Sequence, residues 1–254
     1  MTDHVTLTLR SALDDTLELD GLDPAQLAAM SESEIAAIPV WSGRESRRLG
    51  DYFAIRGERS GAVRIEGDVR RCRGLGAGMT GGFLDIHGDA GDDLGASMVG
   101  GWIRVRGNAG DRVGAGAPGA SRGMTGGEII VEGSVGADVG TRMRRGLVYV
   151  GGNAGGTAAR AIIAGTVVVM GHVGAEPAAG SKRGSLVVAG DIDIPTTYRY
   201  ACRYSPPHVR ILMTHLRQRH GIHTPAAILE GNYDRYCGDA GTVAKGEILK
   251  WIHE

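Results

Sequence analysis

The chain has 254 residues, a net charge of −1 and 43 glycines, a glycine share more than twice the usual value of about 7%. An apolar fraction of 42% is ample for a core and excludes a disordered chain, the glycines keep no three-residue period as collagen would, and the near-zero charge excludes phosphate-driven binding to nucleic acid. Apolar runs stay short of a membrane span, and three cysteines without close pairing (Cys72, Cys202, Cys237) point to a reduced, cytoplasmic protein with neither disulfides nor a zinc module.

Residues 1–10 lack the basic-then-apolar layout of a secretory leader. Val5, Leu7 and Leu9 alternate with Thr6 and Thr8, which predicts a strand. Asp14-Asp15 offers a turn into a second one over Leu17 to Leu19. Asp23 before Pro24 predicts a helix start with an N-cap and proline at the first helical position. Ser31 and Glu34 have the spacing of a capping box for another short helix that stops before Pro39. Residues 1–57 are expected to form an N-terminal cap.

A repeat follows. Glycines that close short apolar stretches fall at Gly67, Gly88, Gly107, Gly133, Gly152, Gly171 and Gly190, at steps of 21, 19, 26, 19, 19 and 19. The long step holds an insertion near Ala117 to Gly123. A second comb runs Gly82, Gly101, Gly127, Gly146, Gly165, Gly184, and a third column holds Met79, Met98, Met124, Met143 and Ile162. The second and fourth residues before each closing glycine are apolar, from Val63 and Ile65 to Leu186 and Val188, the period of a strand with one buried face. Nineteen residues are too few for a strand plus a helix. The expected fold is therefore an all-β solenoid, a right-handed parallel β-helix of about seven 19-residue coils over residues 58–192, with small α/β caps at both ends. Residues 193–254 are the C-terminal cap, in which Pro206-Pro207 opens an amphipathic helix with Val209, Leu212, Met213 and Leu216 on one face. Arg217, Arg219 and His220 before Gly221 suit its C-terminus.

Most candidate chemistry has a structural explanation. Gly114 to Gly119 matches G-x-G-x-x-G in letters, but Pro118 interrupts it and no helix pattern follows, so these read as turn glycines. The methionine column reads as a core ladder, not thioether metal ligands. His208, His215, His220 and His223 gather near Cys202 without a second pair at zinc spacing. They read as solvated or helix-capping, and no metal is expected. Nucleophile-elbow, zinc-protease and phosphate-loop motifs are missing, so no catalytic residue is assigned.

Two surface features remain. The outward column three before each closing glycine reads Arg64, Asp85, Arg104, Ile130, Tyr149, Val168, Val187. The apolar ladder Ile130, Tyr149, Val168 and Val187 needs a cover, either the C-terminal helix or a partner. Arginines also recur at coil corners: Arg122, Arg142, Arg144, Arg145, Arg160 and Arg183. They read as a solvated or salt-bridged edge, or as a surface for a polyanionic ligand or an acidic partner.

The stretch Gly88-Asp-Ala-Gly-Asp-Asp-Leu-Gly-Ala-Ser-Met-Val-Gly-Gly101 and the unit Gly107-Asn-Ala-Gly-Asp-Arg-Val-Gly114 resemble the C subunit of formylmethanofuran dehydrogenase. So do Ser31-Glu-Ser-Glu-Ile-Ala-Ala-Ile-Pro-Val40, Tyr236-Cys-Gly-Asp239 and Lys245-Gly-Glu-Ile-Leu249. The glycine repeat alone is also similar to the C-terminal domain of glutamate synthase large subunits, a right-handed β-helix. The resemblance implies one of two assemblies. One is a bacterial formyltransferase/hydrolase complex that moves a formyl group between tetrahydromethanopterin and a methanofuran-like or methylofuran-like carrier and releases formate, in the formaldehyde oxidation of methylotrophs. The other is an archaeal tungsten or molybdenum dehydrogenase. With 25 Arg to 3 Lys, the composition fits a GC-rich genome and favours the bacterial branch. In both, the C subunit is implied to be a non-catalytic structural one that binds no cofactor alone, and the arginine edge is implied to meet the carrier's glutamate-rich tail or the other subunits. A different class stays open: a stand-alone β-helix enzyme acting on an acidic polymer.

Overall fold

The structure, a computed structural model, describes residues 4–117 and 119–252; Pro118 of the Gly114–Gly119 motif lies outside the described residues. Strands β1 (Val5–Leu9) and β2 (Leu17–Glu18) precede helices α1 (Pro24–Leu27) and α2 (Glu32–Ala36). Asp23 caps α1 by accepting from the Ala25 N–H at 3.1 Å, and Ser31 with Glu34 completes the capping box of α2. Strands β3 (Pro39–Ser42) and β4 (Glu45–Arg48), helix α3 (Leu49–Tyr52) and strand β5 (Phe53–Arg56) follow.

The central segment contributes β6 (Ala62–Glu66), β7 (Cys72–Arg73), β8 (Phe83–His87), β9 (Trp102–Val105), β10 (Glu128–Val131), β11 (Leu147–Val150), β12 (Thr166–Val169) and β13 (Ser185–Val188). The C-terminal part adds β14 (Arg199–Tyr204), α4 (Pro207–His220), α5 (Ala226–Glu230), β15 (Tyr233–Gly238) and β16 (Gly246–Trp251). No described helix is long and apolar enough to cross a membrane.

The architecture corrects the expected right-handed parallel β-helix. The described strands form one 12-stranded mixed sheet, ordered β14-β15-β16-β13-β12-β11-β10-β9-β8-β6-β1-β5, and a 4-stranded sheet, β4-β3-β2-β7, with no closed solenoid. Each central unit supplies one strand of four or five residues to the large sheet. Beyond it, the units meet through single-residue bridges such as Ala109↔Val135 and Val135↔Ala154, too few to build further full sheets around a coil. The margins run antiparallel: β5 lies on β1, β15 on β16 and β14 on β15. The interior ladder, from β1 through β13 to β16, is parallel, and its register advances by the sequence spacing: Val148 pairs Val167, and Val167 pairs Leu186.

Alternation divides the two faces of the sheet. Val63, Ile65, Leu84, Ile86, Ile129 and Val131 are all but fully buried on the inner face, and connecting segments fold back over it with Met79, Met98, Met124 and Met143. The sharp entry into β8–β12 demands glycine: Gly82, Gly101, Gly127, Gly146 and Gly165 all have positive φ. Gly146 has φ +102°, and a Cβ there would meet Gly127 O at 2.6 Å and Met124 Cε at 2.7 Å.

Candidate functional site

The outer face of the large sheet is where the chain's chemistry collects. Arg64, Asp85 and Arg104 stand next to each other across β6, β8 and β9, and Ile130, Tyr149, Val168 and Val187 continue the row across β10 to β13. Helix α4 lies over the apolar half. Val209, Met213 and Leu216 pack with the four ladder residues in a second buried cluster. Pro207 starts α4, and Gly221 stops it in the left-handed conformation at φ 67°, with Arg217, Arg219 and His220 in the last turn.

Where α4 ends, it meets the first residue of β10. His215 Nε2 donates to Glu128 Oε1 at 2.8 Å and His220 Nε2 to Glu128 Oε2 at 2.6 Å; Arg219 Nε stands 3.6 Å from Oε2. The His220 hydrogen bond holds the Glu128 carboxyl down at about 2, against its burial, and His215 adds to the effect. His220 is buried, and its ring lies 4.9 Å from that of Trp102 at 64°. Trp102 in turn stacks on Phe83 at 3.4 Å. Phe83, Trp102 and Glu128 form a second outward column, at the first residues of β8, β9 and β10. Among the described residues, Glu128, His215 and His220 form the one group of three such side chains whose ligand atoms all lie within 4.8 Å of each other. Of the other two histidines in the group that the sequence gathers near Cys202, His208 lies 3.8 Å from Glu247 and His223 is exposed.

Beside this cluster the sheet face is ionic. Asp85 is only 5% exposed; its Oδ2 accepts from His87 Nε2 at 2.8 Å and from Arg106 Nη2 at 3.1 Å. Burial works to raise its carboxyl, and the Arg106 and His87 hydrogen bonds overturn that and hold it below the usual range. Arg104 pairs with Glu132 at 2.5 Å. On a connecting segment, Asp93 is gripped by Arg112 through both oxygens, at 2.7 and 2.9 Å, and by Arg73 at 2.5 Å.

The arginine edge is split in two. The Gly123 N–H donates to Arg142 O and the Arg142 N–H to Arg160 O, which stacks the turns of Arg122, Arg142 and Arg160. Arg144 and Arg145 follow Met143 on a second column, where Arg144 N–H donates to Met124 O and Lys182 N–H to Ile162 O, so Arg183 belongs with Arg145. Arg122, Arg142, Arg145, Arg160 and Arg183 are exposed and Arg144 is half-buried. Of the six, Arg160 alone pairs with a carboxylate among the described residues, Asp138 at 3.1 Å, while Arg142 Nη1 donates to Ala120 O. Arg122, Arg144, Arg145 and Arg183 make neither contact among the described residues. Of the cysteines, Cys72 is buried, and burial pushes its thiol up to about 12, which makes it a packing residue.

No protein-family model matches the chain. Among curated proteins, the C subunit of the molybdenum-containing formylmethanofuran dehydrogenase 1 of Methanosarcina barkeri is 32% identical over 93 residues, 35% of this chain and 31% of that one. The C subunit of the formyltransferase/hydrolase complex Fhc of Methylorubrum extorquens is 33% identical over 89 residues, 35% of this chain and 34% of that one. These matched segments span about a third of the relatives' length. The likeness to a solved structure is full-length: a chain of the X-ray crystal structure of the formyltransferase/hydrolase complex FhcABCD of M. extorquens, in complex with methylofuran, superposes with a TM-score of 0.82 and 32% identity, covering 98% of this chain and 100% of that one. The chain belongs to the C-subunit family of formylmethanofuran dehydrogenases and formyltransferase/hydrolase complexes.

Proposed function

We propose that this chain is the structural C subunit of a cytoplasmic, hetero-oligomeric formyltransferase/hydrolase complex, in which other subunits transfer and hydrolyse the formyl group. The observation that supports this most is the end-to-end correspondence with a chain of FhcABCD, which leaves no part of that chain unmatched. In this role the sheet and its covering helix form a rigid platform. The arginine columns Arg122–Arg142–Arg160 and Arg144–Arg145–Arg183 present the positive surface that meets neighbouring subunits or the acidic tail of a methylofuran-type carrier. The matches to molybdenum and tungsten enzymes support a second assignment, the C subunit of a formylmethanofuran dehydrogenase.

Reversing Arg142, Arg144 and Arg145 to Glu together tests the surface. The folded chain is expected to keep its melting temperature while its retention in the complex, or the complex's hold on its carrier, falls at least tenfold. Unchanged assembly and carrier content would make these ordinary solvated arginines. Tungsten or molybdenum in the purified complex would select the dehydrogenase. Formyl turnover by the isolated chain would overturn the structural role.

A further inference from the structure

Two imidazoles and one carboxylate, drawn from two elements far apart in sequence, converge where α4 ends on β10. We infer that Glu128, His215 and His220 form a zinc site that fastens the last turn of α4 to the sheet. It is a property of the chain itself and stands independently of the function proposed above.

The ligand set is the first ground. Two imidazole Nε2 atoms with one carboxylate oxygen suit Zn²⁺, which takes His and Glu in three-ligand sites that leave a fourth position for water; each ring gives up the Nε2 proton that it donates to Glu128 and carries its proton on Nδ1 when the ion binds. Geometry is the second. A tetrahedral ion with bonds of about 2.05 Å sets its ligands roughly 3.3 Å apart. The two contacts to Glu128, 2.6 Å from His220 to Oε2 and 2.8 Å from His215 to Oε1, therefore open by roughly 0.5–0.7 Å to admit the ion, and the carboxylate turns so that one oxygen faces both imidazoles, shifts within reach of side-chain rotation. The third ground is access: the His215 side chain is 39% exposed and that of Glu128 23%, while His220 is closed off beneath them. The ion enters from that open side, and a water completes its shell.

Two features set the strength. His220 Nδ1 is buried without a hydrogen-bond partner among the described residues, so the usual acceptor behind a ligating imidazole is missing. Affinity on the order of micromolar follows, not the far tighter binding of a closed structural site. Arg219, 3.6 Å from Glu128 Oε2, competes with the ion for the carboxylate. Its side chain is 55% exposed and free to swing away. Removing that charge should tighten metal binding, an effect that hydrogen bonding between the three side chains alone does not predict.

The test is titration of the untagged full chain with Zn²⁺ by calorimetry, and with Co²⁺ by visible absorption, which reports tetrahedral nitrogen and oxygen ligation. One ion per chain is expected, with a rise in melting temperature. His215→Ala should weaken binding at least tenfold and abolish that rise. Arg219→Gln should tighten binding about threefold. Absence of saturable binding below about 100 µM, or wild-type binding by both His215→Ala and Glu128→Gln, would overturn the site. Because His215 is part exposed, its variant keeps the test decisive should Glu128→Gln fail to fold; circular dichroism of each variant establishes which case applies.

Discussion

Arg64 and Asp85 pair directly across β6 and β8, yet Arg64 Nε and Asp85 Oδ1 are both buried and both lack a hydrogen-bond partner. The carboxylate instead spends its second oxygen on Arg106 and His87. The two residues should therefore respond differently to removal. Asp85→Ala strips the counter-charge from Arg106 and is expected to cost about 2–3 kcal/mol, below the full loss for a wholly buried pair because Arg106 is 42% exposed. Arg64→Met deletes an unsatisfied buried donor and should cost less than about 1 kcal/mol. Urea denaturation of both variants measures this; equal losses would contradict the assignment of partners.

Asp93 gives a pH dependence with a defined sign. Burial pushes its carboxyl up, but hydrogen bonds from Arg112 and Arg73 dominate and hold it below 3.8. Its contribution is fully present above that ordinary unfolded value and is lost as pH falls below it. Asp93→Asn should lower stability near pH 7 by about 1–3 kcal/mol and flatten the acid limb of the stability profile below about pH 4. The residue has φ 59°, a region asparagine tolerates, so the change isolates charge from backbone strain. An acid limb as steep as the wild type would refute it.

Met213 anchors α4 on the ladder at 1% exposure, whereas Ile211 on the same helix is 70% exposed. Met213→Ala should cost about 2–4 kcal/mol, and Ile211→Ala less than about 0.5 kcal/mol. Hydrogen exchange should quicken in α4 before the inner sheet. Equal effects of the two variants would mean that α4 does not carry the cover of Ile130, Tyr149, Val168 and Val187.

Much of the local structure was legible in sequence because it follows short-range rules. Period-two alternation located β6 and β8–β13, Asp23 and Ser31 marked the caps of α1 and α2, and Pro207 and Gly221 bounded α4. Closure was not legible. A comb of glycines places strands and turns, but it does not say whether the segments between them pair as full strands, and here they meet by single bridges. The Glu128 cluster was missed for a related reason: its histidines lie 87 and 92 residues away, so no spacing within a motif joins them. The available signal was Glu128's place beside Trp102 on the outward face, at the edge of the ladder that the C-terminal helix or a partner was expected to cover. In sequence the arginine edge reads as one row, because corner positions on either side of Met143 merge; backbone pairing separates them.

The native mass and composition of the assembly isolated through this chain test the central claim most directly. A defined hetero-oligomer is predicted, containing this chain together with formyltransferase and hydrolase subunits and losing its integrity when the chain is removed. A stable monomer that never co-purifies with such subunits would contradict it.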